Sequence, residues 1–126
     1  MAEMTKEKVA ILGASDNPER YSYKAFKMLQ EYGHSVFPVH PSLEKVENVS
    51  VLHKLSDLPK GSIDTLTLYV NPKILETYVD AIVALKPRRV IFNPGTESTA
   101  IEQKLEAEGI ATLEACTLVM LRTQQF

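Results

Sequence analysis

A chain of 126 residues and 14.1 kDa has room for one domain, and none for a cofactor domain beside a separate substrate domain. Its 44% hydrophobic and 24% charged residues exclude a disordered tail and a disulfide-dense mini-protein. With 14 Lys+Arg against 16 Asp+Glu the net charge is −2 and neither half is basic, which argues against nucleic acid as a partner. No apolar run approaches the roughly 20 residues of a membrane span, so no membrane partner is expected. The stretch Met1 to Lys8 lacks the apolar segment of a signal peptide. Cys116 is the single cysteine, so no internal disulfide is expected and a reducing cytoplasm is the simplest compartment.

Along the chain, strand and helix patterns alternate. Val9–Leu12 is a continuous apolar run stopped by Gly13, the pattern of a strand buried on both faces. Ala25, Phe26, Leu29 and Tyr32 recur at helical spacing, and Gly33 closes that helix. Val36–Val39 is the second strand, ended by His40 and Pro41. Residues 42–63 are irregular, with a short extended piece at Val49–Leu52, one helical turn at Leu55–Leu58 and a turn cluster at Pro59–Ser62. Thr65–Val70 alternates as strand three. Pro72 opens a helix whose apolar stripe runs from Ile74 to Leu85. Val90–Phe92 is strand four, Ile101 and Leu105 mark a third helix stopped by Gly109, and Ile110–Leu113 is strand five. A short helix over Cys116–Leu121 ends the pattern.

Connections of this length suit right-handed βαβ crossovers. The expected fold is α/β: one Rossmann-like domain over residues 1–126, with a core at about 7–120 and a five-stranded parallel sheet with helices on both faces. Ligands of such sheets sit outside the carboxyl ends of the strands, so the segments following each strand are the candidates. The first, Gly13 to Ser22, offers a glycine for close backbone approach, the hydroxyls of Ser15 and Ser22, and Arg20 for a phosphate. It lacks the remaining glycines of the dinucleotide fingerprint, and it reads equally as an ordinary loop with Ser22 capping the helix. Strand two ends in Pro38, Val39, His40 and Pro41, a stiff wall without the acidic residue that binds a nicotinamide cofactor's ribose. Strand three ends in Tyr69, Val70, Asn71 and Pro72, where Asn71 is placed to cap the next helix. Strand four ends in Asn93, Pro94, Gly95 and Thr96, where Thr96 or Ser98 caps the third helix and Glu97 favours its N-terminus. The histidines His34, His40 and His53 have no metal-ligand spacing, and no metal or catalytic set is expected.

Taken together, Gly13-Ala14-Ser15 with Asn17-Pro18, Tyr32 to Val36, Pro38 to Pro41, Ser56 to Pro59, Ile63-Asp64, Tyr69 to Pro72 and Cys116 resemble the small bacterial and archaeal CoA-binding proteins. These are similar to the N-terminal CoA-binding domain of the succinyl-CoA synthetase α subunit. The resemblance implies coenzyme A, or an acyl-CoA, as the ligand. By family pattern the first loop holds the phosphates, through Gly13, Ala14, Ser15, Pro18, Arg20, Tyr21 and Ser22. Pro38, Val39, His40 and Pro41 would line the adenosine part. Tyr69, Val70, Asn71 and Pro72 would line the chain from the other side. Asn93, Pro94, Gly95 and Thr96 would lie toward the pantetheine end. His40 stands where family members usually have Asn.

The resulting expectation is a stand-alone CoA-binding module without catalytic machinery of its own. Three alternatives stay open: an enzyme or redox protein working on a CoA thiol or thioester through Cys116, an NAD(P)-binding domain, and an interaction domain. A homo-oligomer or a separate partner protein is open as well.

Overall fold

The computed structural model describes residues 5–126, so Met1 to Met4, part of the stretch read for a signal peptide, lie outside the described residues. The chain begins with β1 (Lys8–Leu12), α1 (Tyr21–Glu31) and β2 (Ser35–Val39). A small antiparallel hairpin follows, β3 (Lys45–Val46) and β4 (Val49–Ser50), then a 3-10 turn at Leu55–Asp57. Next come β5 (Thr65–Leu68), α2 (Pro72–Leu75), a second 3-10 turn at Glu76–Tyr78 and α3 (Val79–Leu85). The remaining elements are β6 (Arg89–Phe92), α4 (Thr99–Ala107), β7 (Ala111–Glu114) and α5 (Thr117–Arg122).

The five long strands form one parallel sheet in the order β2-β1-β5-β6-β7. In register, Leu12 lies beside Val39 and Leu68, Leu68 beside Phe92, and Phe92 beside Glu114. The carboxyl ends therefore finish level, on one edge of the sheet. The strand order reverses between β1 and β5, which opens a crevice above them. The third strand of the full Rossmann order survives as a single bridge. Leu52 donates to Pro38 O and accepts from His40 N–H, both at 2.9 Å. Pro38 suits this edge: its carbonyl points outward to Leu52, so its missing N–H takes nothing from the ladder with β1.

Alternation along the strands divides the core. Ala10, Leu12, Leu66, Leu68, Val90 and Phe92 pack beneath α3 and α4. Val9 and Ile11 pack beneath α1 and α5, with Phe26, Leu29 and Leu121. On that second face β5 presents Thr65 and Thr67, both fully buried. Thr67 meets Thr117 of α5 at 2.8 Å, and the Asn93 amide donates to Thr67 Oγ1 at 2.6 Å. Thr65 donates to the buried Glu7 carboxylate at 2.6 Å, and Glu7 also takes Arg88 at 3.0 Å. The two polar positions thus anchor opposite ends of the sheet.

Three expectations are corrected. The helix read from Pro72 to Leu85 is divided by the tighter turn at Glu76–Tyr78, where the Thr77 hydroxyl takes the Ile74 carbonyl at 2.7 Å and competes with the helical ladder. Strand three stops at Leu68, although Tyr69 N–H still donates to Leu12 O at 2.9 Å before the chain lifts away. Ser22 does not cap α1. Arg20 occupies the N-cap, and Ser22 is the second helical residue, buried at 5% exposure. The other elements fall within two residues or so of the sequence reading, and Ser98 caps α4 by accepting from Ile101 N–H.

Candidate functional site

The crevice above β1 and β5 is a cleft of about 770 Å³. Gly13 forms its floor with φ +91°, a conformation that side chains disfavour. Its N–H and that of Ala14 both donate to Val39 O at 3.1 Å, which ties the first loop to β2. A Cβ on residue 13 would lie 2.8 Å from Tyr69 O and 2.9 Å from Val70 Cγ1. The loops after β1 and β5 therefore touch backbone to backbone, and only glycine fits between them.

Two side-chain turns then aim the start of α1 into the cleft. Ser15 Oγ accepts from Asn17 N–H, and Asn17 Oδ1 accepts from Glu19 N–H, each at 3.0 Å. Arg20 N–H donates to Asn17 O at 3.0 Å, which brings Arg20 to the N-cap. No side chain caps this helix end and no acidic residue stands in its first turn. Its leading N–H groups, its positive dipole end and the Arg20 guanidinium are therefore all offered to an anion. Ser15, Tyr21 and Ser22 share that wall with Glu19, whose carboxylate balances Arg20 in formal charge.

His40 and Pro41 form the wall that continues from β2. His40 Nδ1 accepts from Ser42 N–H at 3.1 Å and Leu43 N–H at 3.0 Å. That assigns the neutral ring's proton to Nε2 and fixes the ring's orientation. The facing wall carries Tyr69, Val70 and Asn71, joined by Ile74 and Tyr78. Asn71 caps α2 by accepting from Ile74 N–H at 2.9 Å. Burial pushes the Tyr69 phenol up to about 12, partly offset by the nearby Thr117 and Thr67 hydroxyls, so it stays a proton donor at neutral pH.

Tyr21 and Tyr69 also border a second cavity of about 400 Å³. Asn93, Pro94 and Cys116 line it, with Lys24 from α1 and Leu118, Val119 and Arg122 from α5. Asn93 is 2% exposed and fully engaged: its amide nitrogen donates to Thr67 Oγ1 and to Leu68 O at 2.8 Å, and its Oδ1 accepts from Thr117 N–H at 2.9 Å. It locks α5 to the ends of β5 and β6. Cys116, half-buried, precedes α5.

The structure thus brings Gly13, Ala14, Ser15, Arg20, Tyr21, Ser22, His40, Pro41, Tyr69, Val70 and Asn71 to one cleft, and Asn93 and Pro94 to its neighbour. Pro18 is exposed on the first loop, outside either wall. Pro38 and Val39 are buried in β2 behind the site, and Pro72 is the first residue of α2. Gly95 and Thr96 line neither cavity. Gly95 N–H donates to Glu97 at 2.8 Å, and the buried Thr96 hydroxyl donates to Asn93 O at 2.7 Å. Sequence reasoning missed Glu19, Lys24, Ile74, Tyr78, Leu118, Val119 and Arg122. Helical spacing carried a signal for one pair, since Tyr21 and Lys24 share one face of α1. Among the described residues no three His, Cys, Asp or Glu side chains form a metal-binding group. No helix among them is long and apolar enough to cross a membrane.

Comparison with known proteins agrees with this architecture. A family model described as a CoA binding domain matches residues 7–122. The α subunit of an ADP-forming acetate–CoA ligase II from Pyrococcus furiosus is 31% identical over 108 residues, 83% of this chain and 23% of that subunit. The uncharacterized protein YneT of Bacillus subtilis is 29% identical over 63 residues, 50% of this chain and 46% of that one. The chain thus spans under half the length of either relative. A crystal structure of an uncharacterized protein superposes with a TM-score of 0.91 at 38% identity, covering 98% of this chain and 100% of that one. With a match running from Glu7 to Arg122, through the glycine loop and both cavities, the chain belongs to the CoA-binding domain family.

Proposed function

We propose that this chain binds coenzyme A or an acyl-CoA in the cleft above β1 and β5, as a self-contained module with no reaction of its own. The observation that carries the reading is the uncapped start of α1, aimed with Arg20 into a cleft whose floor is closed to everything but glycine. The family match supports coenzyme A as the class of ligand. In this arrangement the diphosphate rests on the α1 N-terminus and Arg20, and the adenosine part lies along His40 and Pro41. The pantetheine arm passes between Tyr21 and Tyr69, with the un-ionised Tyr69 phenol available to its amides, and ends in the second cavity. Backbone amides supply most of the phosphate recognition, which suits a chain of net charge −2. A nicotinamide dinucleotide is the weaker candidate. The residue following β2 is His40, with its Nδ1 already committed to two backbone N–H groups, where a ribose-binding carboxylate would stand.

Thermal unfolding with CoA, acetyl-CoA, NAD, NADP and ATP tests the reading. CoA at about 100 times its dissociation constant should add roughly 2.7 kcal/mol, a rise in Tm of roughly 10 °C. No shift with CoA beside a rise with NADP would sink it.

A second reading rests on Cys116, half-buried on the wall where the arm would end. In the presence of CoA disulfide, the Cys116 thiolate would attack one sulfur, form a mixed disulfide and release CoA thiolate. Intact mass after incubation with CoA disulfide decides this: a reductant-sensitive adduct lost in Cys116→Ser favours it, and an unmodified chain excludes it.

A further inference from the structure

The second cavity differs in charge from the cleft with which it shares Tyr21 and Tyr69. In the cleft Arg20 is matched by Glu19. The second cavity has Lys24 and Arg122 on its wall and no carboxylate. These cations come from two helices packed against each other, α1 and α5, and flank a floor made apolar by Pro94, Leu118 and Val119. Neither takes part in an ion pair among the described residues. The Lys24 ammonium stands 5.4 Å from the centroid of the Tyr21 ring, one of the two rings bordering both cavities.

We infer that the second cavity is an acyl subsite selective for an acyl chain that ends in a carboxylate, held by Lys24 and Arg122 while its methylenes lie on Pro94, Leu118 and Val119. The inference rests on the CoA reading above and names the class of acyl-CoA that it takes. Its physical basis is charge complementarity. Both cations are exposed and neither makes an ion pair among the described residues, so a terminal carboxylate gains charge-assisted hydrogen bonds at the end of an apolar trough that a neutral acyl chain of the same length does not. A cavity of about 400 Å³ admits a short acyl chain beyond the pantetheine thiol.

Stable thioethers test it without hydrolysis or reaction at Cys116. S-(3-carboxypropyl)-CoA and S-butyl-CoA differ only at the chain terminus. By calorimetry the carboxylated ligand should bind roughly tenfold tighter, and this ratio should shrink at high salt. In the Lys24→Gln/Arg122→Gln double variant the ratio should fall to about one, with circular dichroism checking that these two exposed substitutions leave the fold intact. Equal affinities in the wild-type chain, or a preference that survives in the double variant, would overturn the inference while leaving CoA binding standing. A wild-type chain that binds neither thioether nor CoA overturns the underlying reading, and this inference with it.

Discussion

Gly13 and Asn93 carry the heaviest demands at the residue scale. At Gly13 the demand is space. Alanine there would set its Cβ 2.8 Å from a carbonyl oxygen at a φ of +91°. Gly13→Ala should destabilise the chain by about 2 kcal/mol or more, because both the loop after β1 and that after β5 must move. Chemical denaturation reads the loss, and wild-type stability in the variant would show the contact to be soft. At Asn93 the demand is hydrogen bonding. Its truncation leaves the buried Thr117 N–H and Leu68 O without this partner, so Asn93→Ala should cost about 2–4 kcal/mol. Gly13 was legible in the sequence, since a glycine closing an apolar strand has few other uses. The structural role of Asn93 was not. Its partners Thr67 and Thr117 are 26 and 24 positions away in the chain, and only the sheet order brings them together.

At the scale of elements, local chemistry decided what could be read. Gly33 and Gly109 end α1 and α4 in the same motif. His34 N–H reaches Leu29 O and Gly33 N–H reaches Gln30 O, and Ile110 and Gly109 repeat the pattern on Leu105 and Glu106. Both stops follow from glycine at the left-handed position, so both were visible in advance. The end of α3 was legible from Pro87 rather than from a glycine, and there Lys86 takes the left-handed conformation at φ 55°, ψ 57° without being glycine. Lys86→Gly should therefore raise stability by about 1 kcal/mol, detectable as a higher Tm, whereas a lower Tm would mean that the Lys86 side chain contributes more than its backbone costs. The hairpin of β3 and β4 was read only in its second half. Two-residue strands carry too little alternation to register, and their turn uses Glu47 at φ 55° in place of glycine.

For the molecule as a whole, two titrations oppose each other, at the buried His34 and at the half-buried Glu102. Burial lowers the His34 pKa from 6.5 despite the nearby Glu7 carboxylate, and the ring accepts from Glu7 N–H at 3.0 Å while neutral. The unfolded chain then binds the proton more readily, so this contribution is present above pH 6.5 and is lost as the pH falls below it. His34→Gln keeps an acceptor for that N–H and should flatten the acid limb of a plot of Tm against pH. An unchanged limb would assign acid sensitivity to other groups. Glu102 runs the other way. Burial first, then Glu114 and Glu106, raise its carboxyl to about 7. Here the folded chain holds the proton more tightly, so stability falls as the pH rises from about 4.5 to about 7. Glu102→Gln should raise Tm above pH 7 and lose that advantage below about pH 4.5, where wild-type Glu102 is already neutral.

The fold class and the crevice above β1 and β5 followed from alternation and from what succeeds each strand. The second cavity did not, because α1 and α5 build its cationic side from residues nearly a hundred positions apart, Lys24 and Arg122. The central claim, that the cleft holds CoA by the start of α1, is tested most directly by calorimetric titration of CoA into the wild-type chain and into Arg20→Ala. One CoA per chain is the expected result, with roughly tenfold weaker binding in the variant. The absence of any heat at about millimolar CoA, or a tighter fit for NADP than for CoA, would contradict it.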